Sequence, residues 1–232
     1  MRRIIASLVV VLAVAGCNTR THQLTTTLNH PNNQAPKIVL MPLDVELSSL
    51  SAGGQEIRAD WSETANRLLL EAIRRQEQDK NVNIVLYHED SGDSAKYQDI
   101  ANQLIKLHGV VGNSIILHEY MPDGQLPTKD GKFDWSLGPA AKTIKDKYNA
   151  DYAMFVWVRD SYADGSRVAL ILLGAAFGVG IPGGQQIGFA SLVELDTGKV
   201  VWFNLLARGY GDLRNADGAS NAAENLLAKL PQ

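Results

Sequence analysis

The stretch "GVGIPG", residues 178–183, has the G-x-G-x-x-G spacing with which dinucleotide-binding loops bring backbone N–H groups up to a pyrophosphate. That chemistry needs a strand before the glycines, a helix opening after them, and an acidic residue about 20 positions on for the ribose. A strand-like run precedes Gly178, but "PGGQQIGFASLVEL" then reads as loop followed by strand. Pro182 removes a backbone donor from the motif and restricts its neighbour Ile181. Glu194 and Asp196 lie 11 and 13 residues beyond Gly183, and Asp196 belongs to a hairpin turn. No nucleotide or other cofactor is expected.

Acid–base and metal chemistry find as little to work with. The histidines are His22, His30, His88, His108 and His118, and none forms H-E-x-x-H. "HED" at 88–90 and "HEY" at 118–120 lack a second histidine at ligand spacing, so these side chains are expected at the surface or at helix ends, with no metal site. Glu89 and Asp90 are a carboxylate pair of the kind used in proton transfer, yet they flank a strand end beside Ser91 and Gly92 and read as a solvated turn. There is no G-x-S-x-G elbow. An enzymatic site would have to be assembled from dispersed residues such as His88, Arg159 and Asp160, and their spacing does not favour it. The expectation is a protein without catalytic residues.

Composition agrees with a binding role better than with a nucleic-acid role. A sequence pI near 5.9 and a formal charge of −3 leave no basic surface for a phosphate backbone. "IRRQEQDK" is the nearest approach to a basic run, and its own acids cancel it. At 232 residues, 45% hydrophobic and 20% charged, the chain can bury a full core.

The elements that must position any functional residue read in order along the chain. "KIVLMPLDV" is a strand closed by Pro42, and "RADWSETANRLLLEAIRRQ" carries Trp61, Ala65, Leu68, Leu69, Ala72 and Ile73 at helical spacing. Asp60 and Glu63 suggest a capping box at that helix's start. "NVNIVLYHE" is a second strand and "SAKYQDIANQLIKLH" a second helix, while "GVVGNSIILHEYM" is compatible with either helix or strand. "LGPAAKTIKDKYNA" places Leu137, Ala141, Ile144 and Tyr148 in register with Asn149 as C-cap. From Asp151 the segments "DYAMFVWVRDSYA", "SRVALILL", "QIGFASLVEL" and "KVVWFNLLARGY" all read as strands, and "GASNAAENLLAKL" closes the chain as a helix. The fold class is α/β, with α+β as the alternative: a mixed sheet with helices packed on it, ordered βαβαα, β-meander, C-terminal helix.

Within that order the apolar run Val168–Ile181 stands out. It is too short to span a bilayer, which takes about 20 residues, and its glycines argue against a helix. The reading is a strand ending in an uncharged apolar loop, turned back by Gly183 and Gly184. Two placements stay open: the loop folded over its own core, or exposed as an apolar tip that meets another subunit, a partner or a bilayer. In the second case Phe177, Gly178, Val179, Gly180, Ile181, Pro182, Gly183 and Gly184 form the interaction loop.

The N-terminus gives the cellular setting. Arg2 and Arg3 precede thirteen mostly apolar residues, "IIASLVVVLAVAG", which lead to Cys17, the single cysteine. A basic n-region, a short h-region and small residues before a cleavage point make a secretory signal over residues 1–16. "VAGC" at 14–17 resembles the lipobox of bacterial lipoproteins. The resemblance implies that Cys17 is acylated, that the exported chain has no free thiol and no disulfide, and that Asn18, in place of an aspartate, directs it to the outer membrane. Residues 17–36, rich in Thr and Asn and bounded by Pro31 and Pro36, read as an acylated N-terminus and flexible tether; residues 37–232 read as one domain.

Together, the leader with "VAGC", the "KIVLMPL" strand with its long helix, and "GGQQIGFASLVELDTGKVVWF" resemble a group of proteobacterial envelope lipoproteins. Their domain is similar to that of the curli-secretion lipoprotein CsgG, the penicillin-binding-protein activator lipoproteins and the N-terminal domain of TolB. The resemblance implies a non-enzymatic module, lipid-anchored in the outer membrane and facing the periplasm. It would act through protein–protein contacts as a binding or scaffold element, in some relatives as a homo-oligomer. The alternative is an oligomeric subunit of an envelope secretion or assembly complex whose apolar loop touches the membrane. No pair of alternating ten-residue hairpin strands is present to build a transmembrane barrel.

Overall fold

A computed structural model describes residues 18–23, 28, 36–80, 83–89 and 94–231. The expected leader at 1–16 and the expected acylation site Cys17 lie outside the described residues. Strands β1 (Asn18–Gln23), β2 (Lys37–Leu40), β3 (Asp44–Ser51) and β4 (Gly54–Ile57) precede helix α1 (Ala59–Lys80) and strand β5 (Asn83–Leu86). Helices α2 (Ala95–Ile115) and α3 (Lys142–Tyr148) lead to β6 (Tyr152–Ala163), α4 (Gly165–Ala176), β7 (Gln186–Glu194), β8 (Val200–Arg208) and α5 (Ala216–Leu226).

The strands form one mixed sheet ordered β1-β8-β7-β6-β2-β5, with β3 also on β6 and β4 beyond β3. The β6–β7–β8 meander and β1 pair antiparallel, whereas β2 and β3 run parallel to β6. β2 and β3 are successive stretches of one path along β6, interrupted at Pro42, which has no N–H to give the ladder.

Alternation along β6 divides the core into two layers. Tyr152, Met154, Val156 and Val158 join α1 residues Ala65, Leu69 and Ile73 and α5 residues Ala219, Ala223 and Leu226. Ala153 and Phe155 face the opposite way, with Leu104 and Ile115 of α2 and Ile144 and Tyr148 of α3. The protein is therefore an α/β three-layer structure with helices on both sheet faces.

One open reading is settled and three expectations change. The "GVVGNSIILHEYM" segment is helical: α2 runs to Ile115 and continues as a single π turn through Tyr120. Its glycines permit this by close approach, since a Cβ on Gly112 would lie 2.0 Å from the Phe189 ring and one on Gly109 3.2 Å from Trp157. Asp60 does not cap α1 but lies inside its first turn, bound to Arg58 at 3.0 Å. Asn18–Gln23, expected as tether, is edge strand β1, paired with β8 from Asn18↔Ala207 to Gln23↔Trp202. Thr-rich sequence suits a strand, and pairing there covers a β8 edge that would otherwise be open.

The third change is the largest. Val168–Ile181 does not begin as a strand; residues 165–176 are helix α4. Asp164 caps it by accepting the Arg167 N–H at 2.8 Å, and Val-Ala-Leu-Ile-Leu-Leu supplies helix-forming bulk. The glycines that argued against a helix sit at its last turn or beyond it.

Candidate functional site

The helix α4 and the return segment 177–185 make a finger between β6 and β7. Its turn is a Schellman motif: Val179 donates its N–H to Gly174 O at 2.8 Å, and Gly178 donates to Ala175 O at 3.1 Å. Gly178 takes φ +74, the left-handed conformation this cap requires. So the first glycine of "GVGIPG" ends a helix rather than opening one, and a strand, not a helix, follows the motif. The other glycines allow the return segment to lie on α4. A Cβ on Gly174 would meet Ile181 Cδ1 and Val179 O, each at 2.9 Å, and one on Gly183 would meet Ile171 at 3.3 Å. Arg167 Nε donates to Pro182 O at 3.2 Å.

What the finger presents outward is apolar. No residue of α4 is buried. Val168 is 44% exposed, Leu172 67%, Leu173 58%, Phe177 83% and Val179 56%. Positions 168, 172 and 173 share a helix face, and Phe177 and Val179 continue it over the tip. Burying one such side chain yields about 1.5–3 kcal/mol, so the finger leaves a large favourable term unused within this chain. Of the expected interaction loop, Phe177, Gly178, Val179, Gly180, Pro182 and Gly183 are exposed, while Ile181 and Gly184 are half-buried against the finger and its base. Between the two placements left open by the sequence, the exposed one is found. Val168, Leu172 and Leu173 were not among the expected contact residues; Asp164 as a cap signal would have revealed them.

A polar network ties the base of the finger together. Tyr162, near the end of β6, donates to Asp160 Oδ2 at 2.5 Å and accepts the Leu213 N–H at 2.9 Å. Gln186, the first residue of β7, donates to the same Asp160 oxygen at 2.6 Å and accepts from Arg208 Nε at 2.7 Å. Arg208 reaches on to Asn221 of α5. Burial pushes the Asp160 carboxyl up, partly opposed by these donors, and burial together with Asp160 pushes the Tyr162 hydroxyl up. Gly184 lies so close to Ser161 that a Cβ would stand 2.2 Å from its carbonyl oxygen, and Ser161 and Gln185 exchange backbone and hydroxyl bonds at 3.0 Å. The network joins the end of β6 to the start of β7, the finger's two roots.

His88, Arg159 and Asp160 do not converge. Asp160 points into the α5 side of the sheet, while Arg159 lies on the other face, ion-paired to Asp44 at 2.7 Å and laid over the Trp157 ring at 4.4 Å. His88 follows β5, where its backbone bonds the Tyr148 hydroxyl at 2.8 Å. Among the described residues no three His, Cys, Asp or Glu side chains converge as a metal site. His118 donates from Nδ1 to Gly124 O at 2.6 Å.

His108 corrects the expectation of surface histidines. It is buried on the inner face of α2, 2.8 Å from Ser191 Oγ, stacked on Phe155 and tilted against Phe189. Burial holds its pKa down at about 3, so it is a neutral core residue.

No family model matches the chain, and no curated protein matches it in sequence. Among solved structures it is similar to the PelC dodecamer from Paraburkholderia phytofirmans, at 12% identity and a TM-score of 0.43, covering 92% of this chain and 96% of that one. A single-substitution variant of the same PelC dodecamer gives 11% identity and a TM-score of 0.41, covering 93% and 99%. The LpoB C-terminal domain from Salmonella enterica gives 12% identity and a TM-score of 0.26, covering 75% and 82%.

Proposed function

We propose that this chain is a non-enzymatic envelope lipoprotein, anchored through Cys17 in the outer membrane and facing the periplasm. It works as a binding or scaffold module whose contact element is the α4 finger. The observation that carries this reading is an apolar helix with no buried residue, held on a fully bonded polar base. A monomer that keeps such a surface wet forgoes burial that a contact would supply. The "VAGC" motif supports the anchor and the compartment, and the dispersal of His88, Arg159 and Asp160 supports a role without turnover.

Hydrogen exchange of residues 165–185 in isolated envelopes tests it, on the full chain and on a Leu172→Asp/Phe177→Asp variant. The finger should exchange slowly in the wild type and fast in the variant, with the remaining amides alike. Equal, fast exchange in both would remove the finger as a contact element.

A further inference from the structure

We infer that the surface covering the finger is a lipid bilayer, the same one to which acyl chains on Cys17 would tie the chain; this rests on the contact role proposed above. Strand register provides the geometric reason. Asn18, the residue after Cys17, pairs with Ala207, and Ala207 pairs with Ile187, next to the finger's return into β7. Two strand spacings, about 10 Å, separate Asn18 from Ile187. The N-terminal anchor point and the finger therefore leave the sheet at the same end. The β7–β8 turn at 195–199 lies at the opposite end.

The chemistry of the finger fits lipid better than protein. From Val168 to Gly184 there are seventeen residues without one polar side chain, and no charge occurs between Arg167 and Glu194. Protein interfaces of useful size carry about one hydrogen bond per 100–200 Å², with Tyr, Trp and Arg anchors; the outward face of α4 offers neither. A bilayer demands only apolar surface. Exposed Tyr210, just past β8, stands at the same sheet end with the amphipathic ring favoured at headgroup level. At twelve residues α4 is about 18 Å long, too short to span and suited to lying in the interface. No described helix is long and apolar enough to cross a membrane. Two attachments at one end would set the domain's orientation, which an acyl anchor alone leaves free.

The test uses the acylated full chain, in which Cys17 leaves no free thiol. Ala176→Cys on the finger and Thr197→Cys in the β7–β8 turn are labelled with a polarity-sensitive fluorophore. Each protein is reconstituted in phosphatidylethanolamine–phosphatidylglycerol vesicles, with and without nitroxide-bearing acyl chains. The Ala176 label should shift to the blue and lose most of its emission to the nitroxides, while the Thr197 label does neither. Adding Leu172→Asp and Leu173→Asp should abolish that loss. A blue shift without nitroxide quenching would mean a protein contact, overturning the lipid inference while sparing the contact role. No shift at all would overturn the lipid inference, and the exchange of residues 165–185 in isolated envelopes would then decide the contact role separately.

Discussion

Val179 donates its N–H to the carbonyl of Gly174, 2.8 Å away, and so folds the return segment onto the helix it has just left. This bond makes a compact finger from residues that otherwise read as a glycine-rich loop. Gly178 permits it with φ +74. Gly178→Ala should therefore weaken the finger by roughly 1–2 kcal/mol, the left-handed penalty of an L-residue. Hydrogen exchange should speed up over 165–185 while the sheet is unchanged.

Outward positions should behave oppositely. Leu172→Asp and Phe177→Asp replace exposed side chains, so the thermal unfolding midpoint should shift little, corresponding to about 0.5 kcal/mol or less. Contact with the envelope should nonetheless be lost. Circular dichroism melting of each variant checks the first half of this expectation.

Under α2 the packing has no slack. A Cβ on Gly112 would lie 2.0 Å from Phe189 Cε2, whereas one on Gly109 would lie 3.2 Å from Trp157 Cδ1. Gly112→Ala should destabilise by about 1–3 kcal/mol or more, and Gly109→Ala by less, despite alanine's better helix propensity. Urea midpoints of the two variants give the order.

His108 sets an acid dependence. Its pKa is held near 3 in the fold by burial, against an ordinary 6.5, so the unfolded chain takes up the proton first. Its neutral-state stability is complete above pH 6.5 and is lost progressively as pH falls towards 3, at a limiting slope of about 1.4 kcal/mol per pH unit. Replacing both partners, His108→Phe with Ser191→Ala, should flatten this limb in a pH series of urea midpoints.

Periodicity made much of the fold legible. Ala65, Leu69 and Ile73 on α1, the Leu137–Ala141–Ile144–Tyr148 register and the Asn149 cap are all found as the sequence suggests. The apolar finger was legible as an anomaly but not in its shape. Glycines at 174, 178 and 180 look like helix breakers inside the run, whereas Gly174 and Gly178 form the end of a helix that Asp164 caps at its start. His108 could not be placed, because its burial depends on sheet aromatics contributed by Phe155 and Phe189, far away in sequence. The polar network at the finger's base escaped for the same reason: Asp160, Gln186 and Arg208 meet only when β6, β7 and β8 pair.

Thiol labelling of Ala176→Cys in intact envelopes, compared with the same protein in detergent, shows whether the finger is covered in its own membrane. A water-soluble reagent should react much more slowly with Ala176→Cys in envelopes than in detergent, while Thr197→Cys reacts alike in both. Equal reactivity of Ala176→Cys in the two settings would contradict it, leaving the finger uncovered in the protein's own membrane.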